Sequence, residues 1–282
     1  MNALRSGTLY IKTKRLEETA DHVSRLSIRL MLNGRQWYKV DGGDRLVHRD
    51  NFLVIDQGQH YRTAFSGERD LEMLMVGFRP GSAQEVARSL TLGHEQLLDE
   101  PCRDTEGPVF AAQTYTMDPV IRALFSQLHV LVQTGVEDHA SDDIEVIHDR
   151  LMERLIGLQS GVRLNMERLD LVRRATRVEI WKRLTIAREY AEAHHAHALS
   201  VADLARVACL SPHHFKRLFR EVYGVPPHRF LRQVRLMHAR HLLSDGDRPV
   251  HEVALAVGFK DASAFSRVYR QVMGRAPRDE EH

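Results

Sequence analysis

Cysteine is almost missing from this chain: its 282 residues hold two, Cys102 and Cys209. Two cysteines so far apart in sequence fit a reducing cytoplasm better than a disulfide scaffold, and both are expected to be small buried hydrophobes. Long apolar runs are missing too, since none approaches the roughly 18 residues that span a bilayer. The opening segment, MNALRSGTLYIKTKRLEE, has no apolar core of the kind a secretory signal needs, so a cytoplasmic location without membrane contact is expected. Phosphate-binding Walker loops, a G-x-S-x-G elbow and paired C-x-x-C motifs do not occur. The tripeptide His48-Arg49-Asp50 matches part of a kinase catalytic loop, but no Gly-rich loop accompanies it.

Net charge is also scarce, at +2. The total hides an uneven distribution: Lys182 to Arg278 carries 17 Lys and Arg against 8 Asp and Glu, followed by the acidic Asp279, Glu280 and Glu281. A basic C-terminal third on an otherwise acidic chain points to nucleic acid or another anionic surface.

What is present falls into three stretches. In residues 20–80, Leu26, Ile28, Leu30 and Leu32 alternate with their neighbours, the period of a half-buried strand. Asn33-Gly34 is a hairpin signal, with Gln36 to Val40 as the return strand closed by Asp41-Gly42-Gly43-Asp44. Phe52–Ile55 and Leu71–Phe78 are further apolar runs, and several short strands so punctuated predict a small barrel or jelly roll. A short helix is expected around Ala83–Leu90.

Residues 118–160 switch to a helical period. Ile121, Leu124, Leu128 and Leu131 form one seam; Ile144, Ile147, Leu151, Leu155 and Leu158 form another, with Pro119 suited to a first turn. Such a hairpin either packs on its own barrel or forms a dimer interface. Residues 161–180 are charged and read as a linker. The division expected is therefore 1–115 as a regulatory barrel, 116–180 as hairpin and linker, and 181–282 as a helical domain.

That last domain contains a duplication. In residues 199–224, Ser200 caps a short helix with Val201, Leu204, Ala205 and Ala208 on one face. After a turn at Cys209-Leu210, Ser211-Pro212 starts a second helix that buries Phe215, Leu218, Phe219 and Val222. His213, His214, Lys216, Arg217 and Arg220 remain for its outer face. In residues 249–274, Val250, Val253, Ala254 and Val257 form the matching first helix, Gly258 the turn and Asp261 the cap. Phe265, Val268, Tyr269 and Val272 are the expected buried face of the second helix, and Lys260, Ala262, Ser263, Ser266, Arg267 and Arg270 are left to face outward. A helix between the two units is expected to use Phe230, Val234, Met237 and Leu242 as its core stripe. A short helix, a turn and a second helix with a basic face is what entry into a major groove requires. His194, His195 and His197 cluster near a helix end and read as surface residues.

The segments LARVACLSPHHFKRLFR, RLMHARHLL and VALAVGFKDASAFSRVYRQVMGRAP, in this order and spacing, resemble the DNA-binding domain of the AraC/XylS family over roughly the last third of the chain. The resemblance implies an α+β multidomain fold, with a cupin-like β-barrel or jelly roll, a helical dimerisation hairpin and an all-α double helix-turn-helix domain. It implies a transcription regulator, more often an activator, that binds double-stranded promoter DNA as a homodimer, answers to an unknown small-molecule effector and contacts RNA polymerase. His213, Lys216 and Arg217 would then face bases in one groove and Ala262, Ser263, Ser266 and Arg267 in the next, with Arg220 and Arg270 nearer phosphates. A separation of about 34 Å would bring both second helices to successive grooves on one face of the DNA.

Two departures are visible: Cys209 stands where the family often has Gly, and Ala264 where an aromatic is frequent; the second recognition helix, with Ala262 and Ser263, is also less basic than the first, so the first unit is expected to be the stronger reader. In the barrel, Trp37, Tyr38, His60 and Tyr61 are candidates for an effector pocket, each weighed against ordinary packing. The His-x-His pair and Glu of a metal-binding cupin are missing, so neither a catalytic site, a metal nor a cofactor is expected. The rivals are a cupin enzyme with a helical appendage, and a basic helical module that binds protein or membrane.

Overall fold

Residues 27–31 are buried on both faces of their strand, which sets the architecture of the N-terminal half. The structure, a computed structural model, describes residues 2–3, 7–13, 21–41, 43–64, 70–91, 108–134, 141–169, 174–244 and 248–280. The chain divides into two units, residues 1–164 and 165–282. Cys102 lies outside the described residues.

In the first unit, the described residues form ten strands in two antiparallel sheets, a cupin-like barrel. One sheet runs β1 (Asn2–Ala3), β2 (Thr8–Thr13), β9 (Leu71–Gly77), β4 (Ser27–Asn33), β7 (Asn51–Ile55), β10 (Thr114–Thr116). The other runs β3 (His22–Val23), β8 (His60–Ala64), β5 (Arg35–Val40), β6 (Gly43–His48). Strand side chains alternate between faces, so each β4 neighbour reports which side it serves. Met31 belongs with Tyr38, Val40, Val47, Leu53, Ile55, Leu71 and Met73 in the cluster between the sheets. Ile28 pairs with Val54 and Val76, and Leu30 with Phe52 and Leu74, on the opposite face. Helices cover that outer face: Phe52 packs against Phe125 of α2 (Pro119–Thr134), and Phe78 against His148 of α3 (Ser141–Glu167). The alternation therefore identifies one face of β4 correctly, but the strand is not half-buried, because the second face closes the barrel.

The Asn33-Gly34 turn also differs from expectation. Gly34 takes φ 77°, as a tight turn needs, but β4 pairs with β7 and β9 whereas β5 pairs with β6 and β8. The chain crosses there from one sheet to the other; the hairpin is the next one, β5–β6, where Asp41 takes φ 47°. The helix expected near residue 83 is α1 (Ser82–Thr91). The His48-Arg49-Asp50 segment is a structural turn: Arg122 of α2 donates to the Arg49 carbonyl and lies 3.5 Å from the Asp50 carboxylate.

The second unit is helical: α4 (Arg174–Ala193), α5 (Val201–Val207), α6 (Pro212–Tyr223), α7 (Pro227–Ser244), α8 (Val250–Ala256), α9 (Ala262–Met273) and a 3-10 turn at Pro277–Glu280. The charged stretch 161–180 is thus mostly helix, continuing α3 and starting α4, rather than linker. Phe215, Phe219, Tyr223 and Phe230 form an aromatic chain with centroids 4.6–5.5 Å apart, closing the core of the first helix pair. Full burial of Phe215 and Phe219 contributes roughly 1.5–3 kcal/mol each. Around the second pair, Leu236, Ala239 and Leu243 of α7 pack with Val253, Ala254, Val257, Phe265 and Tyr269. The buried stripe of α7 is accordingly Leu231, Leu236, Ala239 and Leu243, rotated from the expected one, and Met237 is exposed.

Candidate nucleic-acid interface

The two helix pairs begin with local capping chemistry. Ser200 and Asp203 form a reciprocal capping box at the start of α5, and this hydrogen bonding holds the Asp203 carboxyl below its usual range. Ser211 accepts from the His214 N–H at 3.4 Å, with Pro212 as the first residue of α6. Asp261 accepts from the Ala264 N–H at 2.7 Å to start α9. Gly224 and Gly274, with φ 74° and 78°, end the two second helices in the left-handed conformation.

The turn inside each pair needs the same backbone geometry but solves it differently. Gly258 has φ 85°, and a Cβ there would lie 2.7 Å from the His195 carbonyl oxygen. At the corresponding place Cys209 has φ 51° and is exposed, contrary to the buried hydrophobe expected. Its exposure to solvent leaves room for a side chain.

The loop that crowds Gly258 is itself fixed. Arg235 of α7 donates to the carbonyls of His195 and His197, both at 2.8 Å. His195 is buried and stacks on His238 with centroids 3.8 Å apart, which corrects its reading as a surface residue. Beneath the first pair, half-buried Arg188 holds its Nη2 2.6 Å from the carboxylate of buried Glu189. Burial pushes the neighbouring Tyr223 hydroxyl up to about 12.

With these contacts in place, the expected outward residues are accessible. His213, His214, Lys216, Arg217 and Arg220 of the first unit are exposed, as are Lys260, Ser263, Arg267 and Arg270 of the second; Ala262 and Ser266 are half-buried. Arg217 has a local partner, Glu221, at 3.6 Å one turn along α6. A surface pair of this kind is weak and can be exchanged for a ligand. The buried face of α6 is as expected, Phe215, Leu218, Phe219 and Val222. That of α9 is narrower: Phe265 and Tyr269 are buried, Val272 is 46% exposed, and Met273 packs in its place.

Glu280 was read only as tail charge. It is buried, accepts from the Tyr269 hydroxyl at 2.7 Å and lies 2.7 Å from Arg275, so the last turn is tied to the floor of α9.

The barrel candidates separate in space. Tyr38 is wholly buried and donates to the Met73 sulfur at 2.9 Å. His60 is largely exposed beside Asp21, 3.4 Å away, and Trp37 lies in the strand pair β5–β6. Tyr61 alone of the four lines a cavity of about 360 Å³ at the barrel end. Sequence reasoning missed Arg29, a buried charge facing the same cavity; its only signal was a cation within a strand that is otherwise apolar. Among the described residues no cluster of three or more His, Cys, Asp or Glu is arranged to hold a metal, and no helix is long and apolar enough to cross a membrane.

Ile121, Leu124, Leu128, Ile144, Ile147 and Leu151 are buried within the protomer, whereas Leu131 is half-buried. Beside it, Val130 and Val146 are exposed in a groove between α2 and α3.

Comparison with known proteins covers both units. A helix-turn-helix domain family matches residues 204–280, and an AraC-like ligand binding domain family matches residues 16–153. The "Probable transcriptional regulator LumQ" of Photobacterium leiognathi is 29% identical over 247 residues, 84% of this chain and 84% of that protein. The "HTH-type transcriptional activator RhaS" of Enterobacter sp. (strain 638) is 34% identical over 118 residues, 40% of this chain and 42% of that protein. A crystal structure of an AraC-type transcriptional regulator from Chromobacterium violaceum is 32% identical, covering 35% of this chain and 88% of that one, with a TM-score of 0.34.

Proposed function

We propose that this chain, an AraC-like ligand binding domain followed by a helix-turn-helix domain, is a transcription regulator of the AraC family that activates transcription by binding promoter DNA through two recognition helices per chain. The observation that carries this reading is that α6 and α9 are each capped, each bury an aromatic face in one shared unit, and each leave cationic side chains exposed on the other. In this reading His213, His214, Lys216 and Arg217 face one major groove, and Lys260, Ala262, Ser263, Ser266 and Arg267 face the next. Arg220 and Arg270, in the last turns of their helices, neutralise phosphates. The first helix reads bases more strongly, because it offers more cationic and hydrogen-bonding side chains near its start.

A small effector binds the barrel and shifts the equilibrium between DNA-binding or polymerase-contacting states. The homodimer contact is assigned to the outer face of the α2–α3 hairpin, because the buried seam residues are already occupied and Val130 and Val146 are exposed. Cytoplasmic location and the lack of an enzymatic activity are part of the same proposal.

Genome-wide mapping of bound DNA, followed by mobility shift on the recovered fragments, tests it. Arg217→Ala is expected to cost about 1–3 kcal/mol and relax preference at one base position. Arg220→Ala is expected to weaken all sequences alike and lower the salt slope by about one. Failure to retard any fragment at moderate salt would overturn the DNA reading, and identical behaviour of the two variants would overturn the division of roles.

A further inference from the structure

The strand alternation of β4 places Arg29 on the face that closes the barrel, where a cation is unexpected. Its side chain is 5% exposed. Nη2 donates to the Tyr61 hydroxyl across the two sheets at 3.1 Å, and the guanidinium lies over the Tyr61 ring, 5.2 Å from its centroid. Nη1 is buried and has no hydrogen-bond partner, and no carboxylate pairs with the group among the described residues. Arginine carries a fixed positive charge, so this is a buried cation with only an aromatic face against it and one donor group unsatisfied, an arrangement that costs stability unless something answers it.

The space beside it has a definite chemistry. Arg29 and Tyr61 line the cavity of about 360 Å³ together with Val23, Met75, Phe78 and Pro80. The hydroxyls of Ser24 and Ser27, also at the wall, both donate to the Arg25 carbonyl and so are not free to donate to a guest. The open buried donors are therefore the guanidinium and the Tyr61 hydroxyl, which accepts from Arg29 and keeps its own hydrogen. Two further cations, Arg25 and Arg79, stand at the lip. The volume falls at the lower end of small-molecule sites, about 300–1,000 Å³, whose usual make-up is apolar walls with a few placed polar groups.

We propose that the effector of this regulator is a small organic anion, a carboxylate on an apolar body, whose carboxylate oxygen accepts from Arg29 Nη1 while its body lies on Met75, Phe78 and Pro80. This rests on the reading of the N-terminal unit as an effector domain. A neutral guest would satisfy the donor but leave the buried charge uncompensated, so the site selects for an anion.

The test uses the full chain and the fluorescent anion 8-anilinonaphthalene-1-sulfonate as probe, displaced by 4-phenylbutyrate or by its neutral amide. Saturable binding to the wild type is expected, with the acid displacing the probe and the amide failing to do so at the same concentration. Arg29→Met should weaken binding by about tenfold or more, the loss of one charge-assisted hydrogen bond, and Arg29→Lys should recover part of it. Equal displacement by acid and amide, equal binding by Arg29→Met, or no saturable binding would each overturn the proposal. The acid–amide comparison needs only the wild type, so it stands even if a variant misfolds. DNA retardation by the same preparations is measured in parallel: retardation without anion binding refutes the ligand class alone, whereas loss of specific retardation in the wild type refutes the regulator reading.

Discussion

His148 ties helix α3 to the barrel, and its protonation is expected to loosen that tie. Its Nε2 lies 2.9 Å from the Thr8 hydroxyl, and the ring meets Phe78 edge-on with centroids 5.8 Å apart. Burial drives its pKa down from 6.5 to about 4; the adjacent Asp149 opposes this and Arg79 adds to it. The unfolded chain therefore takes up a proton below about pH 6.5 that the folded chain refuses until about pH 4. Stability from this residue is full above the unfolded value and falls with pH across that window. At about pH 5 the loss relative to about pH 7.5 is about 2 kcal/mol. For a unit of this size that is about 4–8 °C in the thermal midpoint. The assay is thermal unfolding of the wild type and His148→Gln at both pH values, since glutamine keeps a hydrogen-bonding group toward Thr8 but does not titrate. The wild type should lose about 2 kcal/mol more than the variant on acidification. Equal losses would refute the assignment of a neutral, half-buried imidazole.

Two further predictions concern the DNA-binding unit. Gly258→Ala should destabilise it by about 2–4 kcal/mol, because positive φ and close contact with two carbonyl oxygens act together. Gly274→Ala, whose new methyl meets nothing within 4 Å, should cost only about 1 kcal/mol; denaturant titration of both variants separates clash from conformational cost. Asp261→Ala should lower stability by about 1 kcal/mol through loss of the cap on α9, and Asp261→Asn should restore it, as read by the thermal midpoint; a destabilised Asn variant would mean that charge rather than capping is what matters.

Much of the C-terminal unit was legible because its determinants are close in sequence. Ser200, Ser211 and Asp261 cap helices through N–H groups only three residues away, and the faces of α5, α6 and α8 follow from the helical period. The exceptions depend on packing partners far along the chain. Val272 and Met273 exchanged roles because α7 approaches α9 from one side, and His195 was buried because His238 stacks on it.

The sequence by itself determined the two helix-turn-helix units, their caps and the exposed cationic residues of α6 and α9, since period, cap and turn all act within one or two turns of chain. The tertiary structure decided how the strands pair: Asn33-Gly34 carries the chain between sheets because β4 finds its partners in β7 and β9, about twenty and forty residues on. That pairing is what buries Arg29 against Tyr61 and leaves one of its nitrogens without a partner at the wall of a cavity. No local pattern encodes that, because the burial of a charge depends on which distant strands close over it.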